Sequence, residues 1–150
     1  MNIWVDADAL PGDIKDIILR TAQRLKITTI FVANKQIDVG RGAFVSFVRV
    51  TQGADVADAY IVDASAANDF CITADIPLAA LLVEKGLTVI DPRGERYSES
   101  NIGERLAVRD FMAGLRESGV STAGPPPFSA KAKQKFAALL DSLLTKAMRT

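Results

Sequence analysis

The chain has 150 residues, 49% of them hydrophobic, which is enough to bury the core of one globular domain. Its 18 basic and 18 acidic residues cancel to a net charge of zero, so the overall charge gives no sign of a nucleic-acid-binding protein. The absence of histidine excludes catalytic triads with a histidine base and histidine-ligated zinc. The single cysteine excludes an internal disulfide and a cysteine-rich zinc site.

The charges are distributed unevenly along the chain. Residues 1–91 carry 8 basic and 12 acidic groups, a net charge of −4, whereas residues 92–150 carry 10 basic and 6 acidic groups, a net charge of +4. Such a division suits a metal site beside an anion-binding surface, and chance scatter of charges is the alternative.

The chain shows no membrane or export signal. Its first residues lack the basic start and the apolar run of a signal peptide. No stretch reaches the roughly 18 uninterrupted apolar residues that a transmembrane helix needs. We therefore predict a cytoplasmic protein that does not contact a membrane.

Short apolar, β-branched runs alternate with segments of helical periodicity through residue 91. The first run, 3–5, leads into a helix opened by Pro11. This alternation predicts a three-layer α/β/α fold with a mainly parallel sheet. We expect a single domain, 1–150, in which a helical part, 92–150, packs on an α/β core, 1–91. The predicted elements are strands at 3–5, 28–33, 44–50, 70–73 and 87–90, helices at 11–25, from 55, at 76–85, near 101–117 and from about 129, a loop at 124–127, and an apolar stripe of Phe136, Leu139, Leu140 and Leu143 on the last helix.

Three separate segments place aspartates at strand ends or helix starts. Asp6 and Asp8 follow the first strand, Asp55 and Asp58 share one face at the start of a helix, and Asp75 follows a later strand. Because the ends of parallel strands lie at one edge of a sheet, these carboxylates can converge, and a converged set requires a cation or a proton. All-oxygen ligands favour Mg²⁺ or Mn²⁺, and metals can activate water without a histidine. We therefore predict that all five bind metal, with Asp6, Asp8, Asp58 and Asp75 catalytic.

Several of the aspartates also have a structural interpretation. Asp55 and Asp75 each stand where a side chain could cap a helix. Asp69 is interpreted as a turn residue before a strand, with a position near the site as the alternative. A purely structural role is least expected for Asp6, since it follows a buried strand.

Four further residues are candidates for contact with a substrate phosphate. Asn34 and Lys35 follow one strand, Thr73 ends another, and Arg93 follows the strand at 87–90. Arginine can bind phosphate through two parallel hydrogen bonds. The alternative is that the basic groups pair with neighbouring acidic side chains.

The positions of the acids resemble those of the PIN-like nuclease superfamily, which has an Asp after the first strand, an acid at the start of a middle helix and Thr-x-Asp after a later strand. The chain as a whole resembles the YaiI/YqxD family of uncharacterised bacterial proteins over nearly its full length. The runs that carry this resemblance are Trp4-Val5-Asp6-Ala7-Asp8-Ala9, Val32-Ala33-Asn34, Gly53-Ala54-Asp55-Val56-Ala57-Asp58, Ile72-Thr73-Ala74-Asp75-Ile76-Pro77-Leu78-Ala79, Asp91-Pro92-Arg93-Gly94-Glu95-Arg96-Tyr97 and Arg109-Asp110-Phe111-Met112.

The resemblance implies a PIN-like fold and a metal-dependent nuclease that acts on RNA. A first alternative is a phosphatase of the haloacid dehalogenase type, with Asp6 as nucleophile and Asp8 as general acid. That type also needs a later lysine and a Gly-Asp-x-x-x-Asp-like motif, which residues 72–75 do not supply. A second alternative is an RNA- or protein-binding PIN-like domain without turnover. The sequence is compatible with an oligomer in each case.

Overall fold

The computed structural model describes residues 1–8, 10–53, 55–119 and 129–149. The predicted loop at 124–127 lies outside these residues. The described elements, in chain order, are β1 (Ile3–Asp6), α1 (Gly12–Leu25), β2 (Thr29–Ala33), β3 (Val45–Arg49), α2 (Val56–Ala64), β4 (Phe70–Ile72), α3 (Ile76–Lys85), β5 (Thr88–Ile90), β6 (Arg96–Tyr97), α4 (Glu99–Glu117) and α5 (Ala130–Met148).

Six strands form one sheet in the order β3-β2-β1-β4-β5-β6. All neighbouring pairs are parallel except β5 and β6. Strands β2 and β3 lie on one side of β1, and β4 and the strands after it lie on the other side. The strand order therefore reverses between β1 and β4, and open α/β sheets bind ligands in the crevice beyond the carboxyl ends of the strands at such a point.

Successive residues of each strand alternate between the two faces of the sheet. Val5 and Phe31 are buried in a core with α1 and α5, whereas Trp4 and Val32 are buried in a second core with α2 and α3. This confirms the predicted three-layer α/β/α fold. The α1/α5 core includes Ile3, Val5, Ile14, Ile18, Phe31, Phe70, Ile72, Ile90, Phe136, Leu140 and Leu144, and the α2/α3 core includes Trp4, Ile30, Val32, Ile61, Cys71, Leu78, Leu82, Val89 and Tyr97.

The last helix packs on the sheet, as its apolar stripe predicts. Phe136 and Leu140 are fully buried, and Leu139 and Leu143 pack against the same core. The turn after β5 lies so close to this helix that a Cβ atom at Gly94 would stand 2.7 Å from the backbone nitrogen of Phe136. Gly94 also has a φ of +88°, a conformation that glycine adopts without strain. Glycine at this turn thus lets α5 dock beside the carboxyl end of β5.

Two parts of the chain differ from the predicted alternation of strand and helix. Residues 34–44 connect the parallel strands β2 and β3 without a helix. Ile37 and Val39 of this connection pack against the α1/α5 core, which gives a non-helical segment the apolar contact that a crossover helix would make. Strand β6 was not predicted, because two residues are too short to show a period-two pattern; its Tyr97 pairs with Val89 of β5.

None of the helices within the described residues combines the length and the apolar character that a membrane crossing requires.

Candidate functional site

The carboxyl ends of β1 and β4 meet through a threonine between two aspartates. Val5 pairs with Ile72, so the next residues, Asp6 and Thr73, lie side by side where the strand order reverses. The hydroxyl of Thr73 donates a hydrogen bond of 2.8 Å to Oδ2 of Asp6 and accepts one of 2.9 Å from the amide of Asp75. Thr73 is fully buried, so its hydroxyl positions Asp6, and it is removed from the phosphate contact that its sequence position suggests.

The start of α3 holds Asp75 in place. Asp75 is the N-cap of this helix, and its Oδ1 accepts a 2.9 Å hydrogen bond from the amide of Leu78. The capping role considered for this residue is therefore present in the structure. The same carboxyl group lies close enough to Asp58, on the first turn of α2, for its charge to raise the pKa of Asp58. Capping and membership of an acidic cluster are thus compatible in Asp75, because a carboxyl group has two oxygens.

The other two predicted ligands approach from the neighbouring connections. Asp8 lies after β1, and both of its carboxylate oxygens accept from the amide of Asn34, at 2.9 and 3.2 Å. Asp55 occupies the N-cap position of α2 with a left-handed φ of 65°, but its side chain makes no capping hydrogen bond. Its carboxylate is exposed and lines the same cleft as the others. The cap interpretation therefore accounts for the backbone of Asp55 but leaves its side chain unexplained.

These groups surround a cleft of about 390 Å³. Asp6 and Asp58 come from different sides of it, and Gly53 and Pro92 complete its rim. None of the described residues that line the cleft is basic. The lining residues are Asp6, Asp8, Leu10, Asn34, Gly53, Asp55, Ala57, Asp58, Ala74, Asp75 and Pro92.

The concentration of negative charge perturbs two of the carboxyl groups. Burial raises the pKa of Asp6, and the charges of Asp75 and Asp8 raise it further, while the hydrogen bond from Thr73 acts in the opposite direction. Burial also raises the pKa of Asp58 to about 7, together with the charges of Asp75 and Asp6. Without a cation, Asp6 and Asp58 therefore keep their protons to a higher pH than a free Asp does.

The donor set fits a hard divalent cation, since it consists of carboxylate oxygens at one site. No group of three or more acidic or cysteine side chains within the described residues is arranged to hold one ion together. Mg²⁺ commonly uses one or two carboxylates and completes its shell with water and phosphate oxygens, so a complete protein cage is not required. The pair Asp58 and Asp75, which lie close together, is the best-placed pair for such an ion.

The remaining candidate phosphate contacts lie at different distances from the cleft. Asn34 lines it directly, whereas Lys35 is exposed and lines the groove next to it. Arg93 follows β5 and is not among the residues that line the cleft; its amide donates to the carboxylate of Asp91.

Asp69 lies at the opposite end of the sheet from the cleft. It precedes β4, is 6% exposed, and accepts hydrogen bonds of 3.0 Å from the amides of Asn2 and Ala66 and from the indole of Trp4. The interpretation as a structural residue of the turn is therefore confirmed. The sequence distinguishes Asp69 from Asp6 by position, because Asp69 precedes a strand whereas Asp6 ends one.

Comparison with known proteins gives a family for the whole chain. The family model described as "Uncharacterized BCR, YaiI/YqxD family" matches residues 4–146. The chain belongs to this family. It is 55% identical over 150 residues to a "UPF0178 protein" of Myxococcus xanthus, with 100% of this chain and 98% of that protein covered. It is 56% identical over 146 residues to a "UPF0178 protein" of Syntrophobacter fumaroxidans, with 97% of this chain and 95% of that protein covered.

A third relative, "UPF0178 protein DP1304" of Desulfotalea psychrophila, is 53% identical over 146 residues, with 97% of this chain and 99% of that protein covered. No solved structure matches the chain significantly. The comparisons therefore assign the family and leave the chemistry to be argued from the cleft.

Proposed function

We propose that this protein is a metal-dependent phosphodiesterase with RNA as its substrate class, and that Asp6, Asp8, Asp58 and Asp75 are its catalytic residues. One observation carries the proposal: five aspartates from three separate segments line one cleft at the point where the strand order reverses. Carboxylates this close together repel one another and destabilise the fold, so their convergence in one cleft is best explained by a ligand that compensates their charge.

The cation would be Mg²⁺ or Mn²⁺, for which Asp58 and Asp75 are the best-placed pair among the carboxylates of the cleft, with water and phosphate oxygens completing its shell. When bound, it would neutralise the cluster, polarise the phosphate and lower the pKa of water, which removes the need for a histidine base. These are the functions that the chain cannot supply from its own side chains, because it contains no histidine and the described lining of the cleft contains no basic residue.

The side chains of the cleft are held in position before any ligand arrives. The Thr73 hydroxyl orients Asp6, the Asn34 amide orients Asp8, and the Leu78 amide orients one oxygen of Asp75. Such support reduces the reorganisation needed on binding. With its pKa raised to about 7, Asp58 carries a proton below that pH and must lose it before its carboxylate can bind a cation. Cation binding should therefore become tighter as the pH rises through about 7.

The phosphatase alternative is less well supported by this arrangement. A haloacid dehalogenase-type site needs a lysine beside its nucleophilic aspartate, and none of the described residues that line the cleft is a lysine. Both oxygens of Asp8, which would be the general acid, accept from the Asn34 amide. A group that serves as an acceptor there is poorly placed to carry and donate a proton.

The first experiment is a titration of the purified protein with Mn²⁺ by calorimetry, followed by cleavage assays on single-stranded RNA and on bis(p-nitrophenyl) phosphate. We expect Asp6→Asn and Asp75→Asn to weaken Mn²⁺ binding and to lower both cleavage rates by at least about 100-fold, because each removes a carboxylate that holds the cation or lies beside it in the cleft. Asp63→Asn is the matched control: Asp63 is on α2 like Asp58, but it is exposed and does not line the cleft.

Two results would count against the proposal. If the wild type binds neither Mn²⁺ nor Mg²⁺ at millimolar concentration, the carboxylates do not form a metal site. If it binds the cation but cleaves neither substrate, the non-catalytic binding domain becomes the better account. Circular dichroism of each variant establishes that a lost signal does not come from unfolding.

A further inference from the structure

A second groove lies next to the acidic cleft, at the carboxyl end of the edge strand β3. It has a volume of about 530 Å³ and is lined by Asn34, Lys35, Arg49, Val50, Thr51 and Gln52. Asn34 lines both spaces, and Gln52 of the groove precedes Gly53 of the cleft in the chain. The two spaces are therefore neighbours that share a wall, and a ligand can extend from one into the other.

The groove has the opposite charge from the cleft. Its described lining contains two basic residues, Lys35 and Arg49, and no acidic one, whereas the cleft contains five aspartates and no basic residue. Both basic side chains are exposed. Neither takes part in the ion pairs of the described residues. Their charge is therefore available to an anionic ligand.

The groove on the other side of the cleft is different. Ala74 lines both it and the cleft, but its three arginines are balanced by three acids. Arg105 pairs with Glu95 and lies 4.6 Å from the ring centre of Tyr97. Of these two grooves, as far as the described residues line them, the one on the β3 side therefore has basic side chains that are not balanced by acidic ones. The other charged residues that line this groove are Asp91, Glu104, Arg109 and Arg116.

The distance between the acidic cleft and the Lys35–Arg49 groove is short enough for both to bind neighbouring parts of one nucleic-acid strand. Asp6 pairs with Val32, and Val32 with Val48, so β1 and β3 are two strand spacings apart, roughly 10 Å. A phosphate held at Lys35 and Arg49 thus lies beside the cleft without entering it. Thr51 and Gln52 add neutral hydrogen-bonding groups along the groove.

We propose that the Lys35–Arg49 groove is a phosphate subsite, which binds the nucleotide next to the scissile phosphodiester and makes the substrate an oligonucleotide strand that extends past β3. This inference rests on the proposed function, because it names the substrate that reaches the acidic cleft. A free mononucleotide fills the cleft alone and gains nothing from the groove.

The test measures binding and cleavage separately. Binding of a fluorescein-labelled 12-nucleotide single-stranded RNA is followed by anisotropy in EDTA over a range of salt concentrations. We expect Lys35→Ala/Arg49→Ala to weaken binding about tenfold and to reduce the slope of log K against log salt by about 1.4, since each phosphate contact on a single strand contributes about 0.7. With Mn²⁺, the same variant should raise KM for the RNA by a larger factor than it raises KM for bis(p-nitrophenyl) phosphate, which is too small to reach along the groove.

Arg20→Ala/Lys146→Ala is the control, because it removes the same charge from α1 and α5, outside both spaces. Equal weakening in both double variants, or no RNA binding by the wild type at low salt, would overturn the inference even if the small phosphodiester is hydrolysed. RNA binding that is lost only in Lys35→Ala/Arg49→Ala supports the subsite even if no cleavage occurs. In that case the proposed hydrolysis fails while the binding groove stands.

Discussion

The strand pair β1 and β4 has an aspartate at each end, and the surroundings of the two differ: Asp69 is buried at the amino end, and Asp6 is partly buried at the carboxyl end. At the amino end, Asp69 accepts three nitrogen donors, from the amides of Asn2 and Ala66 and from the indole of Trp4. At the carboxyl end, Asp6 accepts a hydrogen bond from the hydroxyl of Thr73, and burial, followed by the charges of Asp75 and Asp8, raises its pKa. A carboxylate surrounded by hydrogen-bond donors stabilises the fold. A carboxylate surrounded by other carboxylates is destabilised by their charge, and binding of a cation relieves that repulsion.

The comparison predicts that the largest loss of stability comes from the amino end. Asp69→Ala leaves three N–H groups without their acceptor, and we expect it to lower the free energy of unfolding by about 3 kcal/mol. Urea denaturation monitored by Trp4 fluorescence measures this effect. Asp63→Ala, at an exposed position, should change stability by less than about 0.5 kcal/mol. If Asp69→Ala and Asp63→Ala lowered the free energy of unfolding equally, the hydrogen bonds of Asp69 would not be stabilising the fold.

A smaller effect is expected from the threonine that joins the strands at the carboxyl end. Thr73→Val keeps the shape but leaves the Asp75 amide and the Asp6 carboxylate without their shared partner, at a cost of about 1–2 kcal/mol. Because that hydrogen bond lowers the pKa of Asp6, its removal should raise the pKa further, and the loss should be larger at pH 8 than at pH 5.

Urea denaturation at the two pH values tests the role of the Thr73 hydroxyl. Thr73→Ser retains the hydroxyl and should restore most of the stability. A loss of the same size at both pH values would show that Asp6 does not depend on this bond.

A further prediction concerns the pH dependence of the metal-free protein. The pKa of Asp58 is about 7 in the folded state against 3.8 for an ordinary Asp, so between these values the folded state binds more protons than the unfolded state. Stability should therefore fall as the pH rises from about 4 to about 7 and level off above that range. Asp6 contributes a change of the same sign.

Unfolding in urea with EDTA at pH 5, 6, 7 and 8 measures this slope. Asp58→Asn removes the titrating group, so its stability should vary less with pH than that of the wild type. Parallel curves for the two proteins would show that Asp58 is not the source of the slope.

Local patterns in the sequence determined most of the secondary structure and the class of fold. Alternating apolar runs and helical segments predicted the strands and helices that form the two cores, because each pattern acts over a few residues. The order strand, aspartate, helix also placed Asp6 and Asp75 at the carboxyl edge, since a parallel sheet brings those ends together. The non-helical connection at 34–44 escaped prediction, because its contact with the core depends on distant residues.

Only the tertiary structure decided which acids become neighbours. Strand β4 pairs with β1 across more than 60 residues of sequence, and that pairing sets Thr73 beside Asp6 and puts Asp69 at the opposite end. The closeness of Asp58 to Asp75 likewise depends on how α2 and α3 pack on one face of the sheet. The sequence by itself therefore determined which aspartates stand at strand ends and helix starts. Long-range register and packing, which no local pattern encodes, decided which of them share a cleft.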